Sequence, residues 1–281
     1  MSHKTKRLWP LIRHDISYGI VLRWKYYAAA LFIFILSSFV FAAHANHFLH
    51  SSGISGALGT FDFILNVFAG NKPFDASSQT GIKLSVLWLG FYAYLLSLTT
   101  FYASDDMKKS ASSFILRVKS KVVWWAGKFI WCMLSVILYY VLFVLSACCA
   151  SAAFGKLSAL VNPYVCSEFF DINLHGASNE EIIVACLLLP FAVSLAVSSF
   201  HMMLSLVIRP IYSFILGICF IAAAAFRCHP MLIFNFTMAE RNALFSPASS
   251  ISVKNGLISA VCLLLFSFFT GAAIIKRKDI I

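Results

Sequence analysis

Long apolar stretches without a single charged residue dominate the chain. Residues 26–61 contain no Asp, Glu, Lys or Arg, and five further stretches share this property. A helix of ~20 apolar residues crosses the ~30 Å hydrocarbon core of a bilayer, whereas a membrane β-barrel shows ~10-residue alternating segments, which this sequence lacks. The pattern therefore predicts an all-α membrane protein with six transmembrane helices, at about residues 26–46, 84–104, 129–153, 182–208, 211–227 and 256–275.

The first 25 residues follow a different pattern. Apolar residues recur there at a spacing of four: Leu8, Ile12, Ile16 and Ile20. Basic and polar residues occupy the other faces, which is typical of an amphipathic helix that lies in the membrane interface. An ordinary basic flank that only fixes topology is the alternative. We predict an interfacial helix in residues 1–25, followed by a transmembrane domain in residues 26–281.

Aromatic residues next to the membrane ends are candidate interfacial anchors. Tryptophan and tyrosine concentrate at headgroup level because one part of each ring is apolar and another is polar. The predicted anchors are Trp9, Trp24, Tyr26, Tyr27, Trp124 and Trp125.

The composition supports the membrane assignment. Of the 281 residues, 60% are hydrophobic and only 12% are charged. Soluble domains average ~45–50% apolar and ~25% charged residues. Disordered proteins, secreted disulfide scaffolds and ordinary cytosolic enzymes are therefore excluded as classes.

The basic residues predict the orientation. Lys and Arg concentrate in cytoplasmic loops, and an N-inside arrangement places most of the 22 basic residues inside and most of the 11 acidic residues outside. Both termini are then cytoplasmic. The net charge of +11 is accounted for by this retention and by anionic lipid, so we expect a lipid bilayer and no nucleic acid as its partner.

The N-terminus also imitates a cleavable signal peptide, because a basic stretch and an apolar run precede Ala43-His44-Ala45. The basic stretch spans 25 residues and the apolar run exceeds the usual ~7–15 residues. We therefore expect the segment to remain as a first span, with the mature protein beginning at or near residue 1.

Motifs for catalysis or nucleotide binding are absent from the sequence. It contains no Gly-x-x-x-x-Gly-Lys-Ser/Thr, His-Glu-x-x-His, Gly-x-Ser-x-Gly or Cys-x-x-Cys. The interiors of the predicted spans also lack Asp, Glu, Lys and Arg, which proton- or ion-coupled carriers usually need as coupling sites. We expect no enzyme activity, no cofactor in this chain, and an energy source outside it.

Two small groups of residues, three histidines and two cysteines, each allow more than one interpretation. His44, His47 and His50 have a spacing that suits either a metal site or an aromatic-rich interface. Cys166 and Cys228 both fall in predicted external loops, and the sequence does not decide whether they pair.

The loop between the second and third predicted spans, residues 105–128, contains a dense group of charged residues. Two acids at its start are candidates to cap a short helix N-terminus, where the helix dipole favours negative charge. The loop is either a solvated basic segment or a docking element for a soluble partner. Its charged residues are Asp105, Asp106, Lys108, Lys109, Arg117, Lys119, Lys121 and Lys128.

The order of these features resembles bacterial type-2 ABC-exporter permease subunits, especially those of Gram-positive bacteria. The resemblance covers almost the whole chain. It is carried by the N-terminal helix, the Asp-Asp…Arg-x-Lys-Ser-Lys…Trp-Trp-x-x-Lys loop, Arg209-Pro210-Ile211, the stretch 235–242 and the terminal segment 276–281. The first external loop is longer than in the simplest members of the family.

This resemblance implies a permease with six spans in a bacterial plasma membrane, paired with a second permease copy or a paralogue. A separate ABC ATP-binding subunit would hold ATP and magnesium and would dock on residues 105–128. The implied function is export of a hydrophobic or amphipathic substrate, such as a peptide. The alternative is a membrane-embedded accessory or immunity protein that binds a ligand without transport; substrate, direction and homo- or heterodimer stay open.

Overall fold

The computed structural model describes residues 3–54, 56–72, 84–109, 120–174, 176–246 and 249–277, without the side chains of residues 3–8 and 108–109. Within these ranges the chain is helical, and its one isolated β-bridge joins Asn242 to Ile251. The fold class predicted from the sequence, all-α, is confirmed for this part of the chain.

Nine helices are described, numbered in chain order. Their bounds are α1 His3–Ile16, α2 Trp24–Ser51, α3 Thr60–Phe68, α4 Val86–Lys109, α5 Lys121–Phe154, α6 Pro163–Phe170, α7 Asn179–Leu204, α8 Pro210–Phe226 and α9 Val253–Arg277. A π-turn at Ser17–Val21 joins α1 to the start of α2, and a second π-turn interrupts α7 at Val184–Leu188. Short 3-10 turns at Ile233–Thr237 and Ala239–Arg241 lie between α8 and α9.

Five of the described helices, α2, α4, α5, α7 and α9, are long and apolar enough to cross a membrane. They coincide with five of the six predicted spans, and this architecture is that of a multi-pass membrane protein. The remaining predicted span corresponds to α8, which is apolar but only 17 residues long. A six-span topology therefore stays a prediction.

Aromatic side chains from α2, α3, α4 and α5 pack against one another in the core. The Phe34 ring packs edge-on against Tyr139, with centroids 5.1 Å apart, and Phe68 packs in the same way on Phe91 at 5.0 Å. Such edge-to-face pairs add ~0.5–1.5 kcal/mol to the gain from apolar burial. Other large apolar side chains on α2, α8 and α9 point outward, as expected of helices that face lipid.

Helix α3 occupies a position that its composition did not predict. An apolar segment in a long polar loop is typical of an interfacial helix, yet nearly every residue of α3 is buried, including the carboxyl of Asp62. Asp62 accepts hydrogen bonds from the backbone amides of Gly59 at 2.7 Å and Asn162 at 3.0 Å. The acid therefore caps its own helix and fixes the chain before α6.

The helical bundle has two contrasting ends. Helix α1 packs against the start of α5 next to the end of α4, and we call this region the ion-pair end. At the opposite end, α3, α6 and residues 227–246 and 249–252 close over the bundle, and we call this region the loop-rich end.

Candidate functional site

Three charged side chains from three helices meet in the interior of the ion-pair end. The ammonium of Lys128 on α5 contacts Oδ1 of Asp15 on α1 and lies 2.7 Å from Oδ2 of Asp106 on α4. The side chains of Asp15 and Lys128 are fully buried, and that of Asp106 is 6% exposed. We call Asp15, Asp106 and Lys128 the ion cluster.

Local sequence brings each helix close enough for these contacts. On α1 and the following π-turn, Leu11, Asp15 and Gly19 recur at a spacing of four and form the buried face. On α5, Gly127 faces Leu11, and a side chain at that position would collide with it. The absence of a side chain at Gly127 therefore allows α1 to approach α5 and to place Asp15 beside Lys128.

Aromatic side chains complete the surroundings of the cluster. The hydroxyl of Tyr102 donates to Asp15 Oδ1 at 3.0 Å, and the indole Nε1 of Trp124 donates to Asp106 Oδ2 at 3.3 Å. The Lys128 ammonium lies 4.9 Å from the Tyr102 ring centroid and 5.4 Å from that of Trp124. Cation–π contacts strengthen when the cation is desolvated, so these rings stabilise the buried ammonium from the sides that the carboxylates leave free.

The cluster carries one more carboxylate than ammonium groups. His14 contributes Nδ1 at 3.5 Å from Asp15 Oδ1, while Asp15 Oδ2 is buried and has no hydrogen-bond partner. Within the described ranges, His14, Asp15 and Asp106 are the one group whose ligand atoms lie close enough for a metal ion. The ammonium of Lys128 already contacts both carboxylates, so this arrangement is built for an ion pair.

The structure divides the predicted docking residues into separate groups. It brings Asp106 and Lys128 together in the ion cluster, and it pairs the half-exposed Asp105 with Arg23 at 3.3 Å. Lys121 is partly exposed at the first position of α5. The other predicted docking side chains lie outside the described residues: Lys108, Lys109, Arg117 and Lys119.

Two details of the predicted docking loop are wrong. Asp105 and Asp106 lie inside the last turns of α4, not at the start of a helix. Ser120 caps the helix α5, because its hydroxyl accepts a hydrogen bond from the Val123 amide at 3.4 Å. Lys128 is completely buried, because two carboxylates and two aromatic rings surround it, and it presents no charge to a docking partner.

The two candidate anchors Trp124 and Trp125 are also placed differently from the prediction. Both side chains are fully buried. Trp124 donates to the ion cluster, and Nε1 of Trp125 donates to the carbonyl of Phe268 on α9 at 3.0 Å. Both indoles thus find their hydrogen-bond partners inside the bundle, and neither is exposed on its surface.

The remaining candidate anchors differ in exposure. Trp9, Trp24 and Tyr26 are 68%, 61% and 57% exposed, whereas Tyr27 is buried at 6%. Exposed aromatic rings at the start of α2 suit a membrane interface, and their role as anchors stays a prediction. Tyr27 packs in the core instead.

The structure describes the surroundings of the candidate histidines and cysteines. His44, His47 and His50 are exposed at the end of α2 and do not form a metal-binding group there. Cys166 and Cys228 are both free thiols. Burial, with a smaller contribution from the nearby Asp62 carboxylate, raises the pKa of Cys166 to about 12, so this thiol is not a reactive nucleophile.

Asp15 is the central residue that the sequence interpretation missed. The apolar spacing suggested a face of α1 made of Ile12, Ile16 and Ile20, but these side chains are only partly buried. The signal was an acid four residues after Leu11 in an otherwise basic segment, which is unusual unless a cation lies opposite.

Comparisons with protein-family models, curated proteins and solved structures return no match for this chain.

Proposed function

We propose that this chain is the permease subunit of an ATP-binding-cassette exporter in a bacterial plasma membrane, with six spans and both termini in the cytoplasm. The observation that carries the proposal is the ion cluster, because it joins α1, α4 and α5 on either side of residues 110–119. The resemblance described above identifies this segment as part of the ATPase-docking loop.

A docking loop transmits movement only if its two ends are attached to the elements that must move. Asp106 lies near the end of α4, Lys128 lies in the second turn of α5, and Asp15 ties α1 to both. Breaking a buried ion pair by removing one partner costs ~3–5 kcal/mol. A displacement of the loop is therefore transmitted to α1, α4 and α5 together.

The energy source lies on a partner in this proposal. The sequence has no phosphate-binding loop, so ATP and magnesium are held by a separate ABC ATP-binding subunit. Nucleotide binding drives transport by favouring one of two arrangements of the permease. A second permease copy or a paralogue completes the translocation path for a hydrophobic or amphipathic substrate.

The test is affinity purification of the tagged chain from native membranes after mild cross-linking, followed by mass spectrometry. The wild-type chain is expected to recover an ABC ATP-binding subunit. Arg117→Glu is expected to reduce that recovery at least five-fold by placing like charge against an acidic docking surface. Lys254→Glu, at the exposed start of α9, is the matched charge-reversal control and leaves recovery unchanged.

Purified alone, the chain is expected neither to bind nor to hydrolyse ATP. The proposal is overturned if the wild-type chain recovers no ATP-binding subunit, or if both charge reversals reduce recovery equally although the variants insert normally. The first of these outcomes would favour the accessory or immunity protein.

A further inference from the structure

A pocket extends from the loop-rich end into the bundle. It is bounded by α7, α8, α9 and the segment 230–234, and its volume is about 300 Å³. Its walls include Val197, His201, Phe220, Met231, Ser259 and Leu263. Apolar side chains form most of this lining, and His201 is its one titratable group.

The size and shape of the pocket restrict what it can hold. A cavity of ~150 Å³ binds one benzene molecule, so this volume accommodates about twelve non-hydrogen atoms. The lining residue Phe220 lies six residues before the C-terminal end of α8, a distance of about 9 Å along the helix axis. The lining residue His201 contacts α8 at Ser213, which is further from the C-terminal end of α8. The lining thus extends along α7 and α8, which suits an extended chain.

The pocket opens towards the apolar exterior of the bundle. Met231 is 87% exposed and Phe220 is 44% exposed, and both line the pocket. The neighbouring surfaces of α8 and α9 present further exposed apolar side chains, such as Leu216 and Val261. A chain from the surrounding lipid phase therefore reaches the pocket without crossing a polar surface.

Three exposed basic residues are close in sequence to residues that line the pocket. Arg227 and His229 precede the lining residue Pro230, and Lys254 lies five residues before Ser259; all three basic residues are exposed. No acidic residue occurs in 227–231 or in 249–255. This end of the pocket consequently attracts an anionic group.

We propose that the pocket binds a single alkyl chain of about twelve carbons that carries an anionic headgroup. The chain lies between α7, α8 and α9, and the headgroup lies beside Arg227, His229 and Lys254. The apolar lining recognises the chain, and the basic residues recognise the charge. This inference does not depend on export and would hold equally for an accessory protein.

Photolabelling tests the proposal. The probe is dodecanoate with a diazirine in its chain, added to the purified protein in nanodiscs of zwitterionic phosphatidylcholine, and labelled peptides are mapped by mass spectrometry. Labelling is expected to concentrate on the pocket segments of α7, α8 and α9. Ser259→Phe fills the pocket and is expected to reduce this labelling at least ten-fold. Val261→Phe adds the same ring to the exposed face of the same helix and leaves labelling unchanged.

Competition on the wild-type protein gives a second measurement that does not depend on any variant folding. Unlabelled dodecanoate is expected to remove the pocket labelling, whereas dodecyltrimethylammonium, with the same chain and a positive head, is expected to compete at least ten-fold less well. A phosphatidylglycerol probe with the diazirine in one acyl chain distinguishes the sources, since preferential labelling by it identifies a bilayer lipid as the occupant.

Equal competition by the two amphiphiles would overturn the assignment of the headgroup. Labelling spread evenly over the exposed faces of α2, α8 and α9, unaffected by excess dodecanoate, would overturn the site itself.

Discussion

The two ends of the bundle bury charge in opposite ways. At the ion-pair end, Lys128 is matched by the carboxylates of Asp15 and Asp106 from two other helices. At the loop-rich end, the side chain of Arg241 is buried and, among the described residues, has no carboxylate bonded to it. It donates to backbone carbonyls, including those of Asn71 at 2.8 Å and Ala225 at 2.7 Å.

The two ends are therefore held together by different interactions. Arg241 satisfies carbonyls that the end of α8 leaves unpaired, and its planar guanidinium reaches several of them at once. It therefore holds loops to a helix end in one fixed arrangement. The ion cluster joins side chains on separate helices, so its energy depends on how those helices lie relative to one another.

The largest expected effect is at the ion cluster. Lys128→Met leaves two carboxylates facing each other in the interior, and we expect it to lower the free energy of unfolding by up to about 5 kcal/mol. Unfolding in detergent, followed by tryptophan fluorescence, measures this loss. Lys121→Met, on the same helix but partly exposed, is the control.

Adding Asp106→Asn to Lys128→Met is expected to recover part of the lost stability, because one buried charge is removed. A double variant as unstable as the sum of the two single variants would show that the three groups are not coupled.

The second effect concerns Arg241. Arg241→Met removes the donors from several buried carbonyls, each of which costs ~1–3 kcal/mol when unsatisfied, so we expect a loss of about 3–4 kcal/mol. Arg241→Lys is expected to restore only part of it, because an ammonium cannot span the same set of carbonyls. Arg227→Met, at an exposed neighbouring position, serves as the comparison, and a loss as large there would refute the special role of Arg241.

The third effect is a pH dependence at the loop-rich end. Burial raises the pKa of Asp62 from 3.8 to about 6, against the smaller opposing effect of the Gly59 and Asn162 amides. The folded state therefore binds this proton more tightly than the unfolded state. Protonated Asp62 therefore stabilises the fold by about 2–3 kcal/mol. This contribution to the free energy of unfolding is fully present below about pH 3.8 and is lost as the pH rises through about 6.

Asp62→Asn is expected to remove this dependence, whereas Asp171→Asn, which changes an exposed carboxyl at the same end, is not. The free energy of unfolding, measured between pH 4 and 7, gives the slope of stability against pH for each variant. Identical slopes for the wild-type protein and Asp62→Asn would contradict the assignment.

The smallest effect is expected for the exposed ion pair Arg23–Asp105, whose side chains are 31% and 45% exposed. Exposed pairs contribute ~0–1 kcal/mol, so Arg23→Met should lower the free energy of unfolding by less than 1 kcal/mol. Measured beside Lys128→Met, it separates the effect of burial from that of charge pairing. Similar losses for both would show that burial of the cluster adds nothing.

Much of the fold could be predicted from the sequence. Charge-free stretches locate the five long apolar helices and α8, because a hydrocarbon environment excludes charged side chains over a fixed length. The clustering of basic residues at 105–128 likewise singled out the segment that flanks the ion cluster. These features depend on local composition, which the sequence displays directly.

The partners of individual polar side chains could not be predicted in this way. Asp15 and Lys128 are separated by 113 positions, and Asp62 accepts a hydrogen bond from an amide 100 positions away. Nothing local distinguishes Lys128, which is buried, from a basic residue at the membrane surface, or Trp124 in the core from an interfacial anchor.

The sequence by itself determined that the chain is helical, apolar and asymmetrically charged, since these properties follow from which side chains tolerate hydrocarbon. Tertiary structure alone decided which charges are buried. Burying a charge is favourable only when an opposite charge or several hydrogen-bond partners arrive from elsewhere in the chain, and that arrival depends on how α1, α4 and α5 pack. The same packing, between α7, α8 and α9, creates the pocket.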